Sequence, residues 1–209
     1  MDFVQTLWIV LGSGVVSLLA AGGLRSYIGK APAGDEKMRV IAAKIREGAM
    51  AFLMREYSVI VPFVLVVGVL LYLFLDVGIL NESQTWAQPF TALSFVIGAF
   101  CSGLSGFLGM RTATIANVRT AEAGKMGVTK ALQISFFSGA TMGLGVVGLA
   151  LIGFVCVLLV LLQVTDIETA VRGLTGFGFG ASVVALFARV GGGIYTKAAD
   201  VGGDLVGKV

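Results

Sequence analysis

Long apolar runs separated by short, mostly basic segments make up the pattern of this chain. Crossing roughly 30 Å of hydrocarbon takes about 20 helical residues, and runs of that length occur at about 3–24, 58–80, 87–110, 132–162 and 174–196. They predict five spanning helices in an all-α, polytopic membrane bundle, with residues 1–209 belonging to a single transmembrane domain. Only Asp2 precedes the first run, where a cleaved signal peptide would carry basic residues, so that helix is expected to stay. The fourth run is about 46 Å long at 1.5 Å per residue. It has to tilt strongly or project beyond the bilayer.

Composition agrees with the pattern: 57% of residues are hydrophobic and 13% charged, and the mean hydropathy is +0.96. A soluble globule is excluded. Fifteen Lys+Arg against twelve Asp+Glu leave a net charge of +3, too little for a nucleic-acid footprint, so no nucleic-acid partner is expected. Between the first and second runs lie Arg25, Lys30, Lys37, Arg39, Lys44, Arg46 and Arg55, and between the third and fourth lie Arg111, Arg119, Lys125 and Lys130. The other two connections hold only Arg172. Basic loops stay on the cytoplasmic side, which predicts an exterior N-terminus, an exterior second-to-third connection and a cytoplasmic C-terminus.

The chain has no histidine, which removes Ser-His-Asp and Cys-His nucleophiles and His-ligated zinc or haem. Any chemistry falls to carboxylates, Lys, Arg or hydroxyls. Cys101 and Cys156 lie in apolar runs and read as small, buried, inert thiols. Thirty glycines gather as Gly98-x-x-x-Ser102-x-x-x-Gly106, Gly139-x-x-x-Gly143 and Gly176-x-x-x-Gly180, spacings that let helix backbones approach closely. Met38 to Glu56 carries charges at helical spacing after a helix start at Gly34-Asp35, and reads as an amphipathic interfacial helix.

The richest chemistry lies at residues 187–208. At about 100° per residue, with Arg189 at zero, Asp200 falls at about 20°, Asp204 at about 60° and Lys197 at about 80°. The four share one stripe if the helix runs unbroken through Gly191-Gly192-Gly193. Two carboxylates one turn apart beside an ammonium, among small residues, suit Mg²⁺ carrying a phosphorylated anion, because Mg²⁺ takes one or two protein carboxylates plus substrate phosphates. The competing reading is a solvated helix face. Arg189 lies within the fifth run, where a charge needs a carboxylate partner or a watery path, unless it snorkels to the interface. Gly202 to Lys208 imitates a phosphate loop, but Val209 offers no hydroxyl for Mg²⁺ and a helix precedes it, so that reading is rejected.

The stretch Gly191-Gly192-Gly193-Ile194-Tyr195-Thr196-Lys197-Ala198-Ala199-Asp200-Val201-Gly202-x-Asp204-Leu205-Val206-Gly207-Lys208-Val209 closely resembles the signature of the membrane-integral, ion-pumping inorganic pyrophosphatases. Gly203 stands where that family usually has Ala. Weaker similarity runs through Ile45 to Tyr57 and Gly109 to Thr120. Members are several times longer, so the resemblance implies an N-terminal piece of a pump, inactive by itself and ending just after the first catalytic motif at 191–209. It implies that Lys197 contacts pyrophosphate, that Asp200 and Asp204 hold Mg²⁺, and that Arg189 couples hydrolysis to transport of H⁺, or of Na⁺. It further implies a multi-pass homodimer in the inner cell membrane. Metal and Lys would neutralise pyrophosphate while carboxylates activate water, so the lack of histidine is no obstacle. A second reading keeps Arg189 as the anion contact of a non-hydrolytic transporter segment, with Gly-rich helices as its moving parts. An apolar scaffold is the third.

Overall fold

The computed structural model describes residues 2–77 and 88–208. Among these it has five α-helices: α1 (Phe3–Lys30), α2 (Glu36–Leu71), α3 (Phe90–Gly124), α4 (Val128–Val164) and α5 (Ile167–Val206). A π-helical turn, Tyr72–Asp76, continues α2. All five helices are long and apolar enough to cross a membrane, and the chain is a multi-pass membrane protein. Leu19, Phe100 and Phe136 are each about two-thirds exposed, apolar side chains that no other described helix covers.

Every helix outruns the apolar stretch that predicted it, because hydropathy marks lipid depth while caps and breakers mark helix ends. The largest correction falls on Met38 to Glu56. It is not a separate interfacial helix but the first half of α2, unbroken into the second span. No residue between Glu56 and Ser58 stops a helix, and the start is where the sequence placed it: Asp35 caps α2 by accepting the Met38 N–H at 2.9 Å. The two basic connections are correspondingly short. Gly34 (φ 76°) turns the chain between α1 and α2, and Gly127 (φ 121°) between α3 and α4, conformations that favour glycine. The expected exterior connection at 78–87 lies outside the described residues.

The helices alternate in direction, and α3 is the centre. It runs parallel to α5 in a backbone-to-backbone contact: a Cβ on Gly98 would strike the Phe177 carbonyl, one on Gly176 that of Thr91, and one on Gly180 that of Phe95. Gly14 and Gly148 do the same service between α1 and α4, where a Cβ on Gly148 would stand 2.9 Å from the Gly14 oxygen. Close approach of this kind supplies van der Waals contact where lipid offers no hydrophobic drive. Gly139 and Gly143 take no part; nothing lies within 4 Å of a Cβ on either. The thiols also depart from expectation: Cys101 is half-buried and Cys156 exposed, because an apolar run in a membrane helix faces lipid as readily as protein.

Side chains from other helices finish the helix ends. At the basic end Arg119 of α3 donates to the last carbonyls of α1, from Nε to Ala31 O at 3.1 Å and from Nη2 to Gly29 O at 3.2 Å. A cation at a helix C-terminus is favoured by the macrodipole. Beside it, the Lys125 ammonium lies 2.6 Å from Glu122 and 3.7 Å from Asp35, tying the α1–α2 turn to the end of α3. At the opposite end the buried Asp76 carboxylate accepts the N–H groups of Thr91 and Ala92 at 3.1 and 3.0 Å. It does for α3 what an N-cap side chain does locally.

Candidate functional site

Helix α5 is 40 residues long and passes through Gly191-Gly192-Gly193 without a break. Its continuity is what the stripe needed: Arg189, Lys197, Asp200 and Asp204 lie on one side of a single helix, and about 22 Å of rise separates Arg189 from Asp204. All four side chains are exposed, and none of the other four helices covers them. Thr91 beside Gly176 and Phe95 beside Gly180 set α3 and α5 parallel, and Tyr195 lies beside Gly48 and Phe52, so the upper part of α5 runs along the basic first half of α2. The acidic end of the stripe is therefore at the basic end of the bundle, above the apolar runs.

The opposite side of α5 is held by α2. Gly191 packs on Glu56 and Phe52, and the rings of Phe52 and Tyr195 lie 5.0 Å apart and tilted by 34°. From the hand of the helix, Gly191 and Tyr195 point about 200° and 240° from Arg189. One side of the glycine-rich segment is thus clamped while the other presents the charged stripe. Sequence reasoning missed this clamp, although Glu56, Phe52 and Gly191 all lie in stretches carrying the resemblance. No sequence pattern sets Gly191 apart from Gly192 and Gly193; only the tertiary contact with Glu56 and Phe52 does.

Arg189 lines a cleft of about 510 Å³ between α3, α4 and α5, with Ser102, Ser105 and Ser182 among its neighbours and Cys101 at its wall. It forms no ion pair among the described residues. The partner expected of a charge at this depth is not supplied by these helices. Asp200 and Asp204 fit the demand of Mg²⁺ for a small number of hard oxygen ligands. Among the described residues, however, no group of three or more acidic or thiol side chains comes together, so these helices do not by themselves assemble a metal site.

Comparison with known proteins decides the family. Residues 15–209 match the family described as inorganic H⁺ pyrophosphatase. The chain belongs to that family. A K⁺-insensitive pyrophosphate-energized proton pump of Caldanaerobacter subterraneus is 45% identical over 210 aligned residues, covering 97% of this chain and 30% of the relative. A putative K⁺-stimulated pyrophosphate-energized sodium pump of Clostridium tetani is 47% identical over 94% of this chain and 27% of its own length. A K⁺-insensitive proton pump of Methanosarcina mazei is 42% identical with the same coverage. The chain spans under a third of the length of these relatives. As a member of the pyrophosphatase family it carries, within that third, both clamp and stripe on one helix.

Proposed function

We propose that this chain is part of a pyrophosphate-energised ion pump. The pump hydrolyses inorganic pyrophosphate to phosphate and moves protons, or sodium ions, across the inner cell membrane. The observation that carries the reading is the unbroken α5, which joins Lys197, Asp200 and Asp204 to Arg189 on one face. Lys197 binds pyrophosphate as a point charge. Asp200 and Asp204 hold Mg²⁺, which supplies charge neutralisation and Lewis-acid polarisation of the phosphoanhydride when bound. One carboxylate per turn on a rigid helix sets the spacing of the ligands. The remaining carboxylates that complete the site and activate water are not gathered among the described residues, and the reading requires them from elsewhere in a protein of the relatives' length.

Arg189, about 12 Å of helix below Lys197, acts in ion transfer rather than on pyrophosphate. The basic ends of α1 to α5 face the cytoplasm, the N-terminus is exterior, and the pump works as a homodimer. Supporting this orientation, Arg119 and Lys125 lie together with the α1–α2 turn at one end of the bundle.

The test is Mg²⁺-dependent phosphate release from pyrophosphate by membranes carrying the full-length protein. Asp200→Asn and Asp204→Asn each remove a charge and keep the shape, and each lowers hydrolysis about tenfold or more with normal insertion. Wild-type turnover in both variants at saturating Mg²⁺ returns the pair to a solvated face. Absence of any pyrophosphate hydrolysis by the wild-type protein favours the passive transporter.

A further inference from the structure

Beside the contact of Arg25 with Thr112 a cleft of about 220 Å³ opens between α1, α3 and α4. Its walls are apolar, formed by Leu18, Ala21, Leu108 and Met142, and its one charged lining residue is Arg25. The guanidinium donates from Nη1 to Thr112 Oγ1 at 3.2 Å. The Thr112 hydroxyl donates to Leu108 O at 2.9 Å and so turns a lone pair to the arginine. Ser105 and Thr141, the other hydroxyls lining the cleft, are likewise turned to their own helices, on Cys101 O and Phe137 O at 2.8 Å each. Arg25 is therefore the cleft's cationic donor, with most of its five N–H groups unspent. No ion pair engages it among the described residues.

Depth decides what such a group meets. Trp8 and Tyr27 are exposed aromatic residues on α1, and their separation of about 28 Å along the helix matches the hydrocarbon thickness. Aromatic rings of this kind sit at the two headgroup levels. Arg25, half a turn from Tyr27, is then at phosphate depth, and the apolar walls at Leu18, Ala21 and Leu108 lie toward the bilayer centre. A guanidinium at phosphate level above an apolar groove matches a phospholipid's own order of polar head and acyl chain. No carboxylate lines the cleft to meet a headgroup ammonium, so an uncompensated phosphate suits it better than a zwitterion.

We propose that Arg25, positioned by Thr112, binds the phosphate of an anionic phospholipid whose acyl chain lies in the groove between α1, α3 and α4. The test titrates the purified full-length protein in detergent with phosphatidylglycerol, and in parallel with phosphatidylcholine, and counts bound lipid by native mass spectrometry. Phosphatidylglycerol is expected to bind the wild type about fivefold or more tightly than phosphatidylcholine. Arg25→Gln abolishes that preference and Arg25→Lys keeps part of it. Leu108→Trp fills the groove without changing charge and weakens binding of both lipids; it decides the matter if Arg25→Gln does not assemble. Equal binding of the two lipids by the wild type, an undiminished preference in Arg25→Gln, or undiminished binding of both lipids by Leu108→Trp, overturns the proposal. So does full displacement of the lipid by inorganic phosphate at equal concentration, which marks a site for the free ion.

Discussion

Gly191 and Glu56 touch so closely that a Cβ on residue 191 would stand 2.5 Å from Glu56 Oε1, and 3.3 Å from Phe52 Cζ. Oε1 is buried and without a hydrogen-bond partner among the described residues, so packing against the bare glycine is what accommodates the carboxyl. Gly192 and Gly193 have open space around them in this five-helix unit. The clamp on α5 therefore depends on one glycine of the three. Gly191→Ala is expected to lower both thermal stability and pyrophosphate hydrolysis of the full-length protein. Glu56→Ala should relieve the stability loss, with a coupling of about 1 kcal/mol in a double-mutant cycle, a typical value for residues in contact. Strictly additive losses would show that Gly191 matters for some other neighbour.

The α3–α5 seam offers a sharper contrast. A Cβ on Gly180 meets the Phe95 carbonyl, backbone that has no rotamer by which to move aside. Gly180→Ala should cost at least the roughly 1–3 kcal/mol of ordinary overpacking, read as a lowered thermal midpoint of purified protein. Gly143→Ala, with nothing within 4 Å, should leave the midpoint unchanged within this bundle. Equal losses at the two positions would undo the assignment of the seam.

Those two glycine pairs also show how far the sequence reached. Small-x-x-x-small spacing is the same at Gly139/Gly143 and Gly176/Gly180, and periodicity alone does not say which helix face meets protein and which meets lipid. The five helices and the cap at Asp35 were legible because each depends on local pattern, whereas the unbroken run of α5 through Gly191-Gly192-Gly193 was not, because three consecutive glycines locally allow a bend. Nor was Asp76. Its two acceptor bonds to α3 cross a connection of a dozen residues and depend on the π-helical turn that delivers it. The charged stripe of α5 was legible as geometry, whereas the Glu56 clamp behind it and the Arg25–Thr112 contact are tertiary. Neither leaves a periodic trace.

Asp35 gives the basic end a pH dependence of known sign. The Met38 N–H it accepts, and the Lys125 ammonium beside it, hold its carboxyl below the ordinary 3.8. A group whose folded pKa is depressed contributes stability above its unfolded pKa and loses it as pH falls through the folded value. Hydrogen exchange at the first turn of α2 should accelerate as pH drops through and below about 3.8, after correction for intrinsic exchange. Asp35→Asn should flatten that response. Lys125, raised chiefly by its bond to Glu122, works in the other sense: its contribution is complete below its unfolded pKa and fades as pH climbs through the raised one. An exchange rate indifferent to acid in the wild type would mean that the cap contributes nothing measurable.

Arg189 and Lys197 stand on one face of α5 about 12 Å apart along its axis, and the helix between them is continuous. That distance prevents both from touching one pyrophosphate. Arg189 instead faces a cleft whose polar neighbours are the hydroxyls of Ser102, Ser105 and Ser182, a setting in which a guanidinium orders hydroxyls or water rather than a phosphate. Replacing it with Lys keeps the charge and removes the planar fork that can hold a partner by two bonds. In sealed vesicles carrying the full-length protein, Arg189→Lys should therefore lower pyrophosphate-driven ion transport more than it lowers hydrolysis, leaving the KM for pyrophosphate near wild type. The quantity to compare is ions moved per pyrophosphate consumed. A ratio equal to wild type, with both rates intact, would place the guanidinium at the membrane interface as a snorkelling side chain and remove it from the pumping path.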